Sequence, residues 1–181
     1  MAEIRTAPAA LAKWAKKDPE RTFLTQPLDK ETREWTFREA HEDAARFAAA
    51  LLRLGLKRGD RVAILSKNCA EWLIADVAIS MAGLVSVPIY PTAGAGTIRY
   101  VLEHSGASAV IVGRLDDPAP ANEAIPSGVA TIGMRYDEGD RQHEWQAMID
   151  ASDPIEQPYH PSSEEEMMTI LYTCLLYTSD A

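Results

Sequence analysis

An α/β fold with a largely parallel sheet flanked by helices is predicted by two features of the sequence. Short apolar runs of strand length lie at 61–66, 85–89 and 109–112, and the stretches between them carry apolar residues at helical spacing. The predicted order is therefore β-α-β-α-β. Helical crossovers of this length favour parallel strands, because the helices must pack back onto the faces of the sheet.

The first helix is predicted over residues 37–54. Thr36 and Glu39 have the spacing of a capping box at its start, and Gly55 can adopt a positive φ at its end. An apolar stripe at helical spacing marks the face that should be buried: Phe37, Ala40, Ala44, Phe47, Ala48, Leu51 and Leu52.

The second helix is predicted from Cys69 to Ala82, between the first two strands. Asn68 is the expected N-cap, with Glu71 three residues later, and Gly83 ends the helix. Because this segment is apolar on nearly all sides, we expect it to be covered on most of its surface.

The third helix is predicted over Thr97–Ser105 and ends at Gly106, just before the third strand. The loop before it, 91–96, is small and leads into a helix N-terminus, where an anion can bind exposed backbone N–H groups. It lacks the GxGxxG spacing and the lysine of a P-loop, so a plain turn and N-cap is the preferred interpretation.

Periodicity fades over residues 116–163, where six prolines interrupt the chain. A strand at Val129–Gly133 and a short helix at Trp145–Ala151 are predicted inside what we interpret as a peripheral excursion. The last apolar run, Met167–Thr173, is predicted to be a buried strand whose carboxyl end leads into a loop.

Charge argues against nucleic acid or an anionic membrane as a general partner. The 181 residues carry a formal net charge of −9, and the acidic excess lies in 115–166, which we interpret as solvated surface. No signal peptide and no run long enough to span a membrane is expected. The two cysteines are far apart and belong to no CxxC pattern, so neither a disulfide framework nor a zinc site is predicted and a reducing cytosol is the default.

Ligands of open parallel sheets bind beyond the carboxyl ends of the strands, so the loops after Ser66, Ile89 and Thr173 are the candidate site. The other reactive or aromatic side chains have simpler interpretations. Cys69 is expected to be small buried filler and Trp72 part of the core. The histidines are expected to be ordinary surface or capping residues and the glutamate run to be solvated: His41, His104, His143, His160 and Glu164–Glu166.

A known family shares much of this sequence. Residues 56–92, which read LKRGDRVAILSKNCAEWLIADVAISMAGLVSVPIYPT, closely resemble the N-terminal subdomain of AMP-forming acyl-CoA synthetases, especially the bacterial long-chain fatty acid ligases. The likeness extends back to Trp35-Thr36-Phe37 and forward through Ile98–Leu102 to Ile111-Val112. It resumes at Met168–Thr173, which is similar to the strand that precedes the family's phosphate loop.

The resemblance implies a two-step reaction. A carboxylate, here of a fatty acid, attacks the α-phosphate of ATP to give an acyl-adenylate and pyrophosphate, and the thiol of CoA then displaces AMP. Mg²⁺ is the implied metal ion. Thr173 is the residue that matches the phosphate loop, and it is the cofactor-binding residue that the resemblance assigns. No catalytic residue and no metal ligand of the family can be mapped onto this chain.

The sequence departs from the family directly after Thr173. The family continues with Ser-Gly-(Ser/Thr)-Thr-Gly, whereas this chain reads CLLYTSDA over residues 174–181. Leucines in place of glycines should keep backbone N–H groups away from phosphate. The eight residues also resemble an in-frame translation of a transposon-end adapter used in sequencing libraries.

Two domains are therefore expected: residues 1–173 as an incomplete N-terminal AMP-binding domain, and residues 174–181 as a non-native tail. The isolated chain should be inactive and should bind ATP, Mg²⁺ and CoA poorly. The partner that it is expected to lack is the remainder of its own chain. The parent enzyme is expected in the cytoplasm or at the membrane periphery. Two alternatives stay open: a fragment of another acyl-adenylating enzyme, loading a carrier protein or using a short or aromatic acid, and a non-catalytic small-molecule-binding α/β domain.

Overall fold

A parallel sheet forms the centre of the molecule. The computed structural model describes residues 6–28, 31–161 and 163–173, and in that part of the chain five strands pair side by side in the order β4-β3-β5-β6-β7. All four pairings are parallel. A separate antiparallel hairpin joins β1 to β2. The strands are β1 Thr22–Pro27, β2 Thr32–Thr36, β3 Arg61–Leu65, β4 Val85–Ile89, β5 Ala107–Val112, β6 Ala130–Gly133 and β7 His143–Glu144.

Helices cover both faces of this sheet. They are α1 Ala7–Lys17, α2 Phe37–Arg53, α3 Ala70–Met81, α4 Ala95–Ser105, α5 Ala119–Ala124 and α6 Trp145–Asp150. Alternation along β3 separates two cores: Val62 and Ile64 pack with α2, α3 and α6, whereas Ala63 and Leu65 pack with α4 and α5. The predicted α/β class, element order and parallel pairing are confirmed.

Helix α2 follows its sequence signals closely. The side chain of Thr36 accepts a hydrogen bond from the backbone N–H of Glu39, whose carboxylate accepts one from the N–H of Thr36, so the capping box is complete. Phe47 and Leu51 are fully buried, and Gly55 has a φ of 90° after the last turn. The predicted helix over 37–54 is confirmed to within one residue.

Helix α3 begins one residue later than expected. Cys69, and not Asn68, is the N-cap, and it makes no side-chain capping hydrogen bond. The backbone N–H of Ala70 instead donates to Oε1 of Gln26, a buried side chain of β1. The prediction for Asn68 is wrong because a donor at this helix end is satisfied by a residue 44 positions away, which local sequence does not reveal.

The acidic region is more than a peripheral excursion. Strand β6 falls within the predicted Val129–Gly133, but it pairs with β5 and so extends the main sheet. The predicted helix near Trp145 is also present, and the Trp145 ring lies 4.0 Å from that of Phe47, between ring centroids, in the principal core. The strand and helix are confirmed, whereas their placement outside the central fold is wrong.

Candidate functional site

Three chain segments meet at the carboxyl end of the sheet. Ser66 and Asn68 follow β3, Tyr90 follows β4, and residues 171–173 end the described chain. With Trp72 of α3 they surround a cavity of about 220 Å³. The predicted loops after Ser66 and Ile89 lie together at this edge, because parallel strands end on one side of the sheet, and the predicted loop after Thr173 lies outside the described residues.

A second cavity of about 340 Å³ opens on the α4 side of the same edge. Tyr172 and Thr173 border both cavities, as do Pro88, Ile89 and Tyr90. The remaining lining is mostly apolar and comes from β4, its following loop and α4: Pro88, Ile89, Tyr90, Ala93, Thr97, Tyr100 and Val101.

The final segment lies beside β4 and runs parallel to it. The N–H of Ser86 donates to the carbonyl of Met168 at 3.0 Å, and the N–H of Ile170 donates to the carbonyl of Ser86 at 2.9 Å. The hydroxyl of Thr169 donates to the same Ser86 carbonyl at 3.1 Å. Ser86, itself 2% exposed, thus holds the segment through both of its backbone polar groups.

The predicted buried strand at Met167–Thr173 is only partly realised. In the described residues the segment forms a single bridge, Ser86 to Thr169, and Met167 and Leu171 are 64% and 67% exposed. Pro88 gives a physical reason: the next ladder bond requires an N–H two residues after Ser86, and proline has none. The expected position beside the parallel strands is confirmed, and the expected burial is wrong.

A side-chain hydrogen bond secures the end of this segment. Nδ1 of His104, on α4, lies 2.7 Å from the hydroxyl of Tyr172. The two rings meet edge to face with centroids 5.7 Å apart, and Tyr100 stacks against His104 at 5.2 Å. Burial raises the pKa of Tyr172, so its hydroxyl remains a donor at neutral pH.

The turn after β3 is tied to the turn after β5. Ser66 is 3% exposed, and its Oγ accepts a hydrogen bond from the N–H of Arg114 at 2.9 Å while donating to the carbonyl of Lys67 at 2.7 Å. A Cβ at Gly113 would lie 2.5 Å from this Oγ. Because Gly113 has no Cβ, the turn after β5 can approach Ser66 closely, and the hydrogen bonds of Ser66 then hold the two turns together at the carboxyl edge of the sheet.

The thiol of Cys69 shows no sign of activation. Burial raises the pKa of Cys69, and its Sγ lies 3.9 Å from Oγ of Ser66. It is half-buried at the start of α3, in agreement with its interpretation as filler. Trp72 is likewise half-buried against the core, although its other side borders the smaller cavity.

The loop after β4 is a turn, as expected. The N–H of Ala93 donates to the carbonyl of Tyr90, and α4 starts at Ala95, two residues earlier than predicted. Gly94 is the N-cap and contributes no side-chain capping bond. Nothing in this geometry distinguishes the turn from an ordinary helix start.

The histidines and the glutamate run are dispersed. Within the ranges that the structure describes, no three His, Cys, Asp or Glu side chains are grouped so as to hold a metal ion. Glu166 forms an ion pair with Arg58 at 2.9 Å and accepts a hydrogen bond from Tyr159, so this part of the glutamate run is not simply solvated. His104 was expected to be an ordinary surface residue; its partner Tyr172 lies 68 positions away, beyond any local pattern.

A family model described as "AMP-binding enzyme" matches residues 11–174. The chain belongs to the AMP-binding enzyme family. The resemblance deduced from the sequence is therefore confirmed at the level of the family. In this AMP-binding chain, the segment that was expected to precede the phosphate loop is the one that Ser86 and His104 hold at the edge.

Individual relatives of this AMP-binding chain are acyl-CoA ligases by name. Long chain acyl-CoA synthetase 1 of Arabidopsis thaliana is 32% identical over 115 residues, covering 61% of this chain and 17% of the relative. Long-chain-fatty-acid–CoA ligase FadD15 of Mycobacterium bovis is 39% identical over 90 residues, covering 50% and 15%. The alignments thus span less than a fifth of either relative's length.

A solved structure shares the fold of this AMP-binding chain. The benzoate CoA ligase of Burkholderia xenovorans LB400 superposes with a TM-score of 0.73 at 22% identity, over 92% of this chain and 32% of that one. At this identity the likeness concerns the fold. No helix within the described ranges is both long and apolar enough to cross a lipid bilayer.

The described edge does not by itself suit a magnesium ion. Neither cavity is lined by an aspartate or a glutamate, and hard divalent cations prefer carboxylate oxygens. What the edge offers is a set of hydroxyls and amides, with Thr173 among the residues that border both cavities.

Proposed function

We propose that residues 1–173 are part of the AMP-binding domain of an ATP-dependent acid–CoA ligase, and that Thr173 begins its phosphate-binding loop. The observation that carries the proposal is the placement of Met168–Thr173, parallel to β4 and leading to the carboxyl edge of the sheet. Ligands of open parallel sheets bind at this edge, and the family match extends to residue 174.

The proposed reaction has two steps. A carboxylate oxygen attacks the α-phosphorus of ATP, the bond to the pyrophosphate leaving group breaks, and an acyl-adenylate forms; the sulfur of CoA then attacks the acyl carbon and AMP leaves. Negative charge moves between phosphate oxygens in the first step. A hydroxyl and an N–H at Thr173 are donors of the kind that stabilise such charge.

Long-chain fatty acids are the proposed acid substrates. Support comes from the names of the two relatives, a long chain acyl-CoA synthetase and a long-chain-fatty-acid–CoA ligase. The benzoate ligase shares the fold at a lower identity and therefore does not favour an aromatic acid to the same degree.

Residues 174–181 are proposed to be foreign to the domain. They read CLLYTSDA in place of the small residues of the family's loop, and this run resembles a translated adapter sequence. Reading the DNA tests this directly: codons 174–180 other than TGT CTC TTA TAC ACA TCT GAC would contradict an adapter origin.

The enzymatic test compares two proteins. One is the 181-residue chain; the other is residues 1–173 joined to the continuation found in the source genome. Only the longer protein should catalyse ATP–pyrophosphate exchange, and a long-chain acid should support faster exchange than benzoate. Thr173→Val in that protein should lower exchange about 10- to 100-fold, the loss expected for a charge-assisted hydrogen bond.

Three outcomes would overturn parts of the proposal. Exchange by the 181-residue chain above a no-protein blank would show that the tail does not abolish activity. Faster exchange with benzoate would replace the acid class. No exchange by the longer protein with any acid would favour a non-catalytic binding domain.

A further inference from the structure

The segment that ends at Thr173 is anchored unevenly. Its first half is held by the backbone groups of Ser86. Beyond Ile170, the described residues make no backbone hydrogen bond to β4, and Pro88 explains why the ladder stops there. In residues 171–173, the hydroxyl of Tyr172 makes a 2.7 Å contact with Nδ1 of His104 and also interacts with the Ser105 side chain, and both of these partners belong to the last turn of α4.

His104 stands on a rigid base. It lies in the last turn of α4, a helix that is packed into the core through Ile98 and Leu102, each 1% exposed. The guanidinium of Arg61 donates to the carbonyls of Ser105 and Gly106, each at 2.8 Å, and so fixes the end of α4 to the start of β3. A side chain on such a base can hold a neighbouring segment in one place.

We propose that His104 is a positioning residue: by its hydrogen bond to Tyr172 it takes over from the ladder bond that Pro88 cannot donate, and so fixes the approach to Thr173. The inference rests on the proposed function of Thr173, since Tyr172 is its immediate neighbour. The catalytic meaning is indirect, because His104 acts on the segment and not on the substrate.

The bond tolerates either protonation state of the imidazole. A neutral Nδ1 accepts from the tyrosine hydroxyl, and a protonated Nδ1 donates to it. This contact between His104 and Tyr172, the anchor of the segment, requires only a polar atom at the Nδ1 position of residue 104. A phenylalanine at position 104 keeps a ring to stack on Tyr100 but removes this atom, whereas an asparagine places an amide oxygen close to it.

Amide hydrogen exchange of the 181-residue chain, followed by NMR at neutral pH, tests the anchor without nucleotide. The reporter is the N–H of Ile170, which donates to Ser86. His104→Phe and Tyr172→Phe should each accelerate its exchange about fivefold, the effect of one neutral hydrogen bond. The double variant should be no faster than either single one, and His104→Asn should exchange at nearly the original rate.

Tyr90→Phe is the matched control, because Tyr90 lies at the same edge and is 59% exposed. In Tyr90→Phe, the exchange rate of the Ile170 N–H should not change. Urea unfolding of every variant separates local release of the segment from a general loss of stability, which would accelerate exchange throughout the sheet.

Unchanged exchange in His104→Phe would overturn the proposal, and so would acceleration in His104→Asn equal to that in His104→Phe. In the longer enzyme, His104→Phe should raise KM for ATP about fivefold with a smaller effect on kcat, because only a fraction of the molecules holds Thr173 in place. An unchanged KM would refute the link to Thr173. If the longer enzyme has no activity at all, the proposed function fails, and amide exchange still decides the role of His104.

Discussion

The carboxylate of Glu71 lies buried, with its two oxygens 3.3 and 3.5 Å from the hydroxyl of Tyr136. This contact joins the first turn of α3 to the loop that follows β6. Burial and the nearby Glu71 charge raise the pKa of Tyr136 to about 12. The proton on this hydroxyl is therefore part of the folded structure well into alkaline pH.

Stability should fall as the pH rises from about 10 to 12, and Tyr136 should cause part of that fall. Between the tyrosine's ordinary pKa and its raised value, the unfolded chain has lost the proton and the folded chain keeps it, so increasing pH favours unfolding. Urea titrations every half pH unit measure the slope. Tyr136→Phe should flatten it, although Tyr159 and Tyr172 also have raised pKa values and leave a residual slope. Identical slopes in both proteins would argue against this contribution.

At neutral pH, Tyr136→Phe should lower the free energy of unfolding by about 1–2 kcal/mol. The substitution removes the donor and leaves a buried carboxylate with a lost hydrogen bond. Tyr90→Phe makes the same chemical change on a side chain that is 59% exposed and should cost much less. Equal stability of the two variants in urea would mean that Glu71 finds another donor.

Asp137→Asn should be among the most destabilising single substitutions and should lower the free energy of unfolding by about 3 kcal/mol. The Asp137 and Arg141 side chains form an ion pair at 2.6 Å and are only 1% and 7% exposed, so the change leaves a buried guanidinium without its counter-charge. Asp116→Asn, in an exposed pair with Lys67, is the matched control and should change stability by less than about 1 kcal/mol. Chemical denaturation of the three proteins gives both differences, and a cost below 1 kcal/mol for Asp137→Asn would contradict the burial argument.

Local patterns were sufficient for the elements from α2 to β5, although not for the place of β6 and α6 in the central fold. The capping box at Thr36 and the glycines at 55 and 83 fixed the helix ends, and the apolar runs fixed strands β3 to β5. These signals act within a few residues, and the resulting elements can pack in few ways. The carboxyl edge follows from topology alone, so sequence reasoning could place the ends of β3 and β4 there, whereas the predicted loop after Thr173 lies outside the described residues.

Features that depend on distant partners were not predictable. Gln26 caps α3 from another element, Glu71 accepts a hydrogen bond from Tyr136, and His104 contacts Tyr172 across 68 positions. Each of these contacts joins residues that are far apart in sequence and that only the folded structure brings together. The incomplete strand at the end could have been anticipated, because Pro88 is visible in the sequence and its missing N–H faces the edge where that strand should pair.

Gly113→Ala should lower the free energy of unfolding by about 1–3 kcal/mol and weaken the contact between Ser66 and the turn after β5. An added Cβ would lie 2.5 Å from Oγ of Ser66 and 2.6 Å from Sδ of Met134, and Ser66 cannot retreat without releasing the N–H of Arg114. Gly96→Ala provides a control of opposite sign. A Cβ at Gly96 meets nothing within 4 Å, and the residue lies in α4. Alanine at this position should therefore raise the free energy of unfolding by about 0.5 kcal/mol. Thermal unfolding should therefore move the two variants in opposite directions; if Gly113→Ala is as stable as the original chain, Ser66 does not tie β3 to β5 as described.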